Sequence, residues 1–235
     1  MSGYQRSQVE VCLWQITHAD EPRAEPTTTF RVQVKKLLDL DRSIYLDKHL
    51  KGDVAKLAFS DQLAKGSGWH VPFSEFHVFM LAIALTLWSA GFKQAEIVNY
   101  LQVFQIKLRK QQKKIRQAGG VVETLYAPRS GSPLVANWVG PNLSEDSSAR
   151  VYLLLNQIEL ANALPGIKDK RYFEPSFAWG VQELAKIIAR RHSSERAAFL
   201  IELADLDARI RILLPNCTAR LRHRPRHQRT PATTQ

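Results

Sequence analysis

The run VFMLAIALTLW, Val78 to Trp88, constrains this chain more than any other stretch, because it is apolar at every position but Thr86. It falls far short of the ~20 residues that span a bilayer. A helix apolar on all sides has to be wrapped by protein on all sides, so the run predicts a helix buried at the centre of a module. Ser74 supplies the N-cap for a helix beginning near Glu75. Phe76, Phe79, Met80, Ile83 and Leu87 follow helical spacing, while Val78, Leu81 and Leu85 cover the other side. Ala90-Gly91 stops it, with glycine available for a left-handed cap.

The next helix is longer. From about Lys93 to Gln117, the residues Ile97, Leu101, Phe104, Leu108, Gln111 and Ile115 recur in alternating steps of four and three, a heptad seam that ends at Gly119-Gly120. Two packings are open to it. On a second copy of the chain it is a dimerisation seam in which polar Gln111 fixes register, and the protein is a homodimer. Alternatively it packs on the chain's own C-terminal module.

This helix also carries much of the charge. Lys107, Arg109, Lys110, Lys113, Lys114 and Arg116 lie between Ile106 and Ala118 with no acid among them. Arg220, Arg222, Arg224, Arg226 and Arg229 do the same between Asn216 and Gln235. Together they equal the whole formal excess of +11, so the rest of the chain is neutral. Clustered positive charge suits a partner rich in phosphates, because each neutralised phosphate releases condensed counterions. An anionic membrane surface is the rival partner. The plain alternative is that lysines late in a helix complement its dipole and keep an exposed face wet. The tail, with its prolines and histidines, reads as disordered and as a source of non-specific phosphate contact.

Around this centre, Val9 to Ile16 reads as a strand, and HADEPRAEPTTT after it as a linker. Phe30 to Leu38 is a short helix capped by Thr28 or Thr29, with Val34, Leu37 and Leu38 inward; Asp39-Leu40-Asp41 makes a turn; Arg42 to Leu50 is a second short helix. In Lys51 to Pro72, Gly66, Gly68 and Pro72 punctuate alternating residues such as Trp69 and Val71, as in a small hairpin or wing. Past Gly120 the pattern turns to short runs between glycines and prolines: Val121 to Tyr126, Leu134 to Val139 and Val151 to Leu155 read as strands. Ser176 to Arg191 reads as an amphipathic helix through Phe177, Val181, Leu184 and Ile188, Arg196 to Leu203 as a strand, and Asp205 to Leu214 as a final helix.

The stretch HVPFSEFHVFMLAIALTLWSAGFKQAEIVNYLQ, residues 70 to 102, resembles the MerR-like winged-helix DNA-binding domains: a wing aromatic (Val71 to Phe73), a Ser-acid cap (Ser74-Glu75), a long apolar helix (Val78 to Leu87), a Gly-Phe turn (Gly91-Phe92) and an acid-isoleucine pair (Glu96-Ile97). The likeness extends over Phe30 to about Leu108. It implies a dimeric transcriptional regulator whose two recognition helices enter successive major grooves of double-stranded DNA while the wings touch backbone. The expected fold class is α+β: an N-terminal mainly helical winged helix-turn-helix, a long linker helix and a small C-terminal α+β domain. The corresponding divisions are 1–29 (extension and linker), 30–92, 93–118, 119–215 and 216–235 (basic tail).

In that frame Arg42, Ser43, Tyr45, Lys48 and His49 are the candidates for base edges, and Lys35, Lys36, Lys51, Lys65 and His70 for phosphates. Trp69 either rests on backbone at the wing tip or packs beneath the wing. The second functional reading is a non-enzymatic interaction protein whose basic helix and tail bind RNA or an acidic partner. Catalysis is not expected. Glu202, Asp205 and Asp207, with Glu159, lie where acids at a strand end could hold a metal, yet Asp205 and Asp207 equally suit the first turn of the last helix. The histidines show no ligand spacing, and Cys12 and Cys217 suggest neither a zinc site nor a disulfide framework. No cofactor is called for, no effector can be named, and a cytoplasmic, non-membrane setting is expected since Met1 to Gln8 is polar and the cysteines are few.

Overall fold

The computed structural model describes residues 3–18, 25–52, 56–63, 71–118, 150–156, 175–190 and 198–218. The architecture is mixed α+β, a helical bundle followed by a small α+β region. Helices α1 (Arg6–Thr17), α2 (Thr28–Leu50), α3 (Glu75–Ser89) and α4 (Gln94–Gln117) come first. Then follow strands β1 (Val151–Asn156) and β2 (Ser176–Trp179), helix α5 (Gly180–Ala189), strand β3 (Ala198–Glu202) and helix α6 (Leu203–Leu213), which runs into a 3-10 turn at Leu214–Asn216. No described helix is long and apolar enough to cross a membrane.

Helix α3 is the axis of the bundle: every side chain from Phe76 to Leu85, and Leu87, is buried. Its N-terminus is closed reciprocally. Ser74 Oγ accepts from the His77 backbone N–H at 3.3 Å, and the Ser74 N–H donates to His77 Nδ1 at 3.2 Å, so histidine takes the place usually held by Glu or Gln in a capping box. Gly91, with φ +91°, makes the left-handed exit that the sequence predicts.

Helix α4 lies against α2, α3 and α6. Its seam residues Ile97, Leu101, Phe104, Leu108 and Ile115 are all buried within this one chain, and Gln111 Oε1 accepts from Trp179 Nε1 at 3.3 Å. Of the two packings open to the seam, the intramolecular one is observed. Helix α4 packs on α2 and α3 as well as on α6 of the C-terminal region, so the seam is enclosed within its own chain.

Three N-terminal expectations change. Val9 to Ile16 is not a strand but the body of α1, because helical winding puts Val9, Cys12 and Leu13 on one buried stripe with Trp14 beside it. Residues within 1–29 therefore belong to the main core rather than to an extension. The turn at Asp39-Leu40-Asp41 is absent: α2 is one continuous helix, capped by Thr27, whose side chain accepts from Phe30 N at 3.2 Å. Neither glycine nor proline interrupts it, and the aspartates cost only about 0.5 kcal/mol each in helix propensity. Asp41 instead turns inward, where its carboxyl oxygens accept from Ala58 N (2.9 Å), Phe59 N (3.1 Å) and Gln102 Nε2 (2.8 Å). A helix-turn-helix made of Phe30–Leu38 and Arg42–Leu50 is thus not formed.

Those same bonds account for the segment after α2. Among the described residues between Lys51 and Pro72 no hairpin strand occurs; Leu57, Ala58 and Phe59 are instead buried against α2 and α4 through Asp41 and through Gln105, whose Nε2 donates to Leu57 O at 2.8 Å. The expected wing residues Lys65, Trp69 and His70 lie outside the described residues. Phe73 pairs with Tyr4 in a short antiparallel bridge (N···O 2.8 and 2.9 Å), which brings Gly3 so close to Pro72 that a Cβ at Gly3 would lie 2.3 Å from the proline Cβ.

The C-terminal region is built on an antiparallel sheet in the order β2-β1-β3. Register pairs Leu153 with Phe177 and Ile201, and Leu154 with Ser176 and Leu200. Strand alternation then sends Val151, Leu153, Leu155 and Ile201 to the helical core and Tyr152, Leu154 and Ala178 to Leu184 and Ile187 of α5. Ser176 to Trp179, expected as the start of a helix, is strand β2; its aromatic residues pair with β1, and Gly180 at φ +81° turns the chain into α5. The expected strands in 121–126 and 134–139 lie outside the described residues.

Candidate nucleic-acid interface

The seam turns one side of α4 inward, and helical geometry then fixes what the opposite side presents. Val103, Ile106, Lys107, Lys110, Lys113, Lys114 and Gln117 recur at steps of three and four and form one outward stripe. Val103 and Ile106 are 46% and 67% exposed, so the stripe begins with two bare aliphatic side chains and continues as lysines. Lys107 to Lys114 covers about 10 Å of axis at 1.5 Å per residue, the axial rise of about three base pairs of duplex. Among the described residues no carboxylate lies within 4 Å of the ammonium groups of Lys110, Lys113 or Lys114. Lys107 Nζ lies 5.9 Å from the centroid of the Phe104 ring.

The two arginines of the run have other partners. Arg109 lies over the Phe76 ring at 4.1 Å, with Asp61 at 3.6 Å. Arg116 bridges two helices, reaching Glu75 of α3 at 2.7 Å and the fully buried Asp207 of α6 at 2.8 Å. Burial opposes its charge, but the hydrogen bonds and charge of Asp207, joined by Glu75, hold its pKa above the ordinary value. Gln112 Nε2 donates to the same Asp207 carboxylate at 2.7 Å. These contacts orient α4, so that its lysines face outward.

The candidates on α2 are more scattered. Lys35, Lys36, Arg42 and Ser43 are exposed on its outer face, but Asp39 stands among them. Tyr45 is half-buried and stacked on His49, with centroids 5.8 Å apart. Lys48 donates to Gln102 at 2.9 Å and Lys51 to Asp47 at 2.7 Å, so both have partners within the chain.

Of the acids weighed for metal binding, Glu159 lies outside the described residues and the other three face arginine: Asp205 meets Arg209 at 2.9 Å, Asp207 meets Arg116 and Arg211, and Glu202 stands 4.0 Å from Arg150. Burial first, then the neighbouring Asp205, raises the Glu202 pKa. Among the described residues no group of three potential ligands gathers. Ser74, His77 and Asp61 stand in sequence, with His77 Nε2 3.3 Å from Asp61, but the serine hydroxyl is engaged as a helix cap. Burial lowers the His77 pKa, the Asp61 charge opposing it, in keeping with a neutral ring whose Nδ1 accepts from Ser74. The roles of Asp41 and Asp207 were not visible in the sequence, where Asp41 reads as a turn residue and Asp207 as an acid of the first turn of the last helix.

The fold and this face define an α+β protein with a lysine-lined helix. The chain matches no protein-family model, no curated protein and no solved structure.

Proposed function

We propose that this protein binds nucleic acid, with double-stranded DNA as the partner, and that α4 contacts the phosphate backbone without any chemical reaction on it. The observation that carries this reading is the lysine stripe. Lys107–Lys110, Lys110–Lys113 and Lys110–Lys114 are like-charge neighbours at helical spacing, together unfavourable by about 1 kcal/mol in an isolated helix. The helix dipole compensates charge only within the last turn, which holds Lys114 but neither Lys110 nor Lys113. Phosphates along the stripe turn this repulsion into attraction and release counterions. The five arginines after Asn216 add to the same attraction.

Regulation of transcription is the role implied by the resemblance of residues 70–102 to MerR-like domains, and the succession of α3, the Gly91-Phe92 turn and α4 is what supports it in the fold. With α2 continuous, base reading by a helix-turn-helix is not part of the proposal. Titration of a fluorescent duplex against salt tests the binding itself. Four lysine contacts predict a log-log slope of about −3.6, steeper if the tail contributes. Binding that ignores salt, or no binding at about 50 mM salt, where such contacts are strong, refutes the reading.

A further inference from the structure

Cys12 and Cys217 are about 200 residues apart in sequence, and both are buried and unpaired. The fold brings them to one place. Gln8, Cys12 and Gln15 fall on one face of α1 at steps of four and three. Cys217, just past the 3-10 turn, is fastened to that face at both ends: Gln8 Nε2 donates to Cys217 O at 2.8 Å, and Cys217 Sγ lies 3.9 Å from Gln15 Oε1. Cys12 lies on the same face of α1 between these two anchors, and the Cys217 thiol also donates to Leu213 O at 3.3 Å.

We infer that Cys12 and Cys217 form a reversible redox pair that small-molecule disulfides of the glutathione class convert into an intramolecular disulfide, joining α1 to the end of α6. The order of events follows from position. Cys217 is 5% exposed, whereas Cys12 is wholly enclosed in the helix interface. The neighbouring Cys12 thiol, working against burial, lowers the Cys217 pKa; the neighbouring Cys217 thiol, then burial, raises that of Cys12. Cys217 thiolate therefore attacks the small disulfide, forming a mixed disulfide and releasing one thiolate. Cys12 then attacks the Cys217 sulfur and expels the second. Two protein thiols are oxidised, one small disulfide is reduced to two thiols, and the two thiol protons pass to the released thiolates. The bond closes a loop of nearly the whole chain, the arrangement for which cross-linking restricts the unfolded ensemble most.

The test uses the full-length native protein equilibrated in reduced and oxidised glutathione, quenched with acid and alkylated. The expected product is a monomer 2 Da lighter than the reduced form, since two thiol hydrogens are lost, with Cys12 and Cys217 peptides linked until dithiothreitol separates them. Its urea midpoint should rise by on the order of 1 M. Cys12→Ser should stop at one glutathione adduct on Cys217, and Cys217→Ser should leave Cys12 unmodified. Stable adducts on both wild-type cysteines, a disulfide between two molecules, or thiols unchanged in oxidised glutathione would overturn the inference. Modification of Cys12 in Cys217→Ser would overturn the order of attack.

Discussion

Replacing Asp207 with asparagine tests how α4 is held. The carboxylate is fully buried and receives Gln112 at 2.7 Å and Arg116 at 2.8 and 3.1 Å, with Arg211 at 3.4 Å. Asparagine keeps the volume and one oxygen for Gln112, but it removes the charge and turns N–H toward guanidinium. Breaking a buried pair from one side costs about 3–5 kcal/mol. The lower end applies, because the Arg116 side chain is 30% exposed and keeps Glu75 at 2.7 Å. A loss of about 3 kcal/mol at an m-value of about 3 kcal/mol/M lowers the urea midpoint by about 1 M. The assay is urea unfolding of wild type, Asp207→Asn, Arg116→Gln and the double variant. The contacts predict a coupling of about 2 kcal/mol, whereas single effects that add to within about 0.5 kcal/mol would show that the pair does not hold α4 in place.

Leu108→Ala removes a fully buried seam residue and should cost about 2–5 kcal/mol with no change of solution mass by light scattering; a switch from dimer to monomer without loss of stability would contradict the intramolecular seam. Burial raises the Asp41 pKa, against the opposing bonds from Ala58, Gln102 and Phe59, so the fold favours its protonated form. Its stabilising contribution is then fully present below about pH 3.9 and is lost as pH rises through the folded-state value. Urea midpoints across pH should show wild type losing ground to Asp41→Asn on going upward from pH ~4, and a constant difference would refute this. Gly3→Ala places a Cβ 2.3 Å from that of Pro72 and should cost about 1–3 kcal/mol by overpacking, read as a lowered thermal midpoint; an unchanged midpoint contradicts the close approach of Gly3 to Pro72.

The parts legible in the sequence were those set by local pattern. Val78 to Trp88 had too little polar surface to be anything but an interior helix, and Ser74 and Gly91 marked its ends. The lysine stripe was legible for the same reason, as it follows from spacing once the opposite face is known to be apolar. What failed depended on partners distant in the chain. Asp41 looked like a turn residue because its acceptors' partners, the N–H groups of Ala58 and Phe59, come 17 and 18 positions later. Arg109 and Arg116 looked equivalent to the lysines until Asp61, Glu75 and Asp207 engaged them. Val9 to Ile16 fits either period over so short a run, and only packing against the bundle selects the helix. The cysteines, at opposite ends of the chain, offered no spacing to read.

The proposed binding of nucleic acid depends most heavily on α4 meeting phosphates through its outer face. Duplex affinity measured against salt for wild type and for Lys110→Gln/Lys113→Gln/Lys114→Gln tests this directly. Losing three phosphate contacts should make the log-log slope shallower by about 2.7 and weaken binding across duplex sequences alike, with folding unchanged. Equal slopes for the two proteins would contradict phosphate contact by α4 and leave the stripe a solvated helix face.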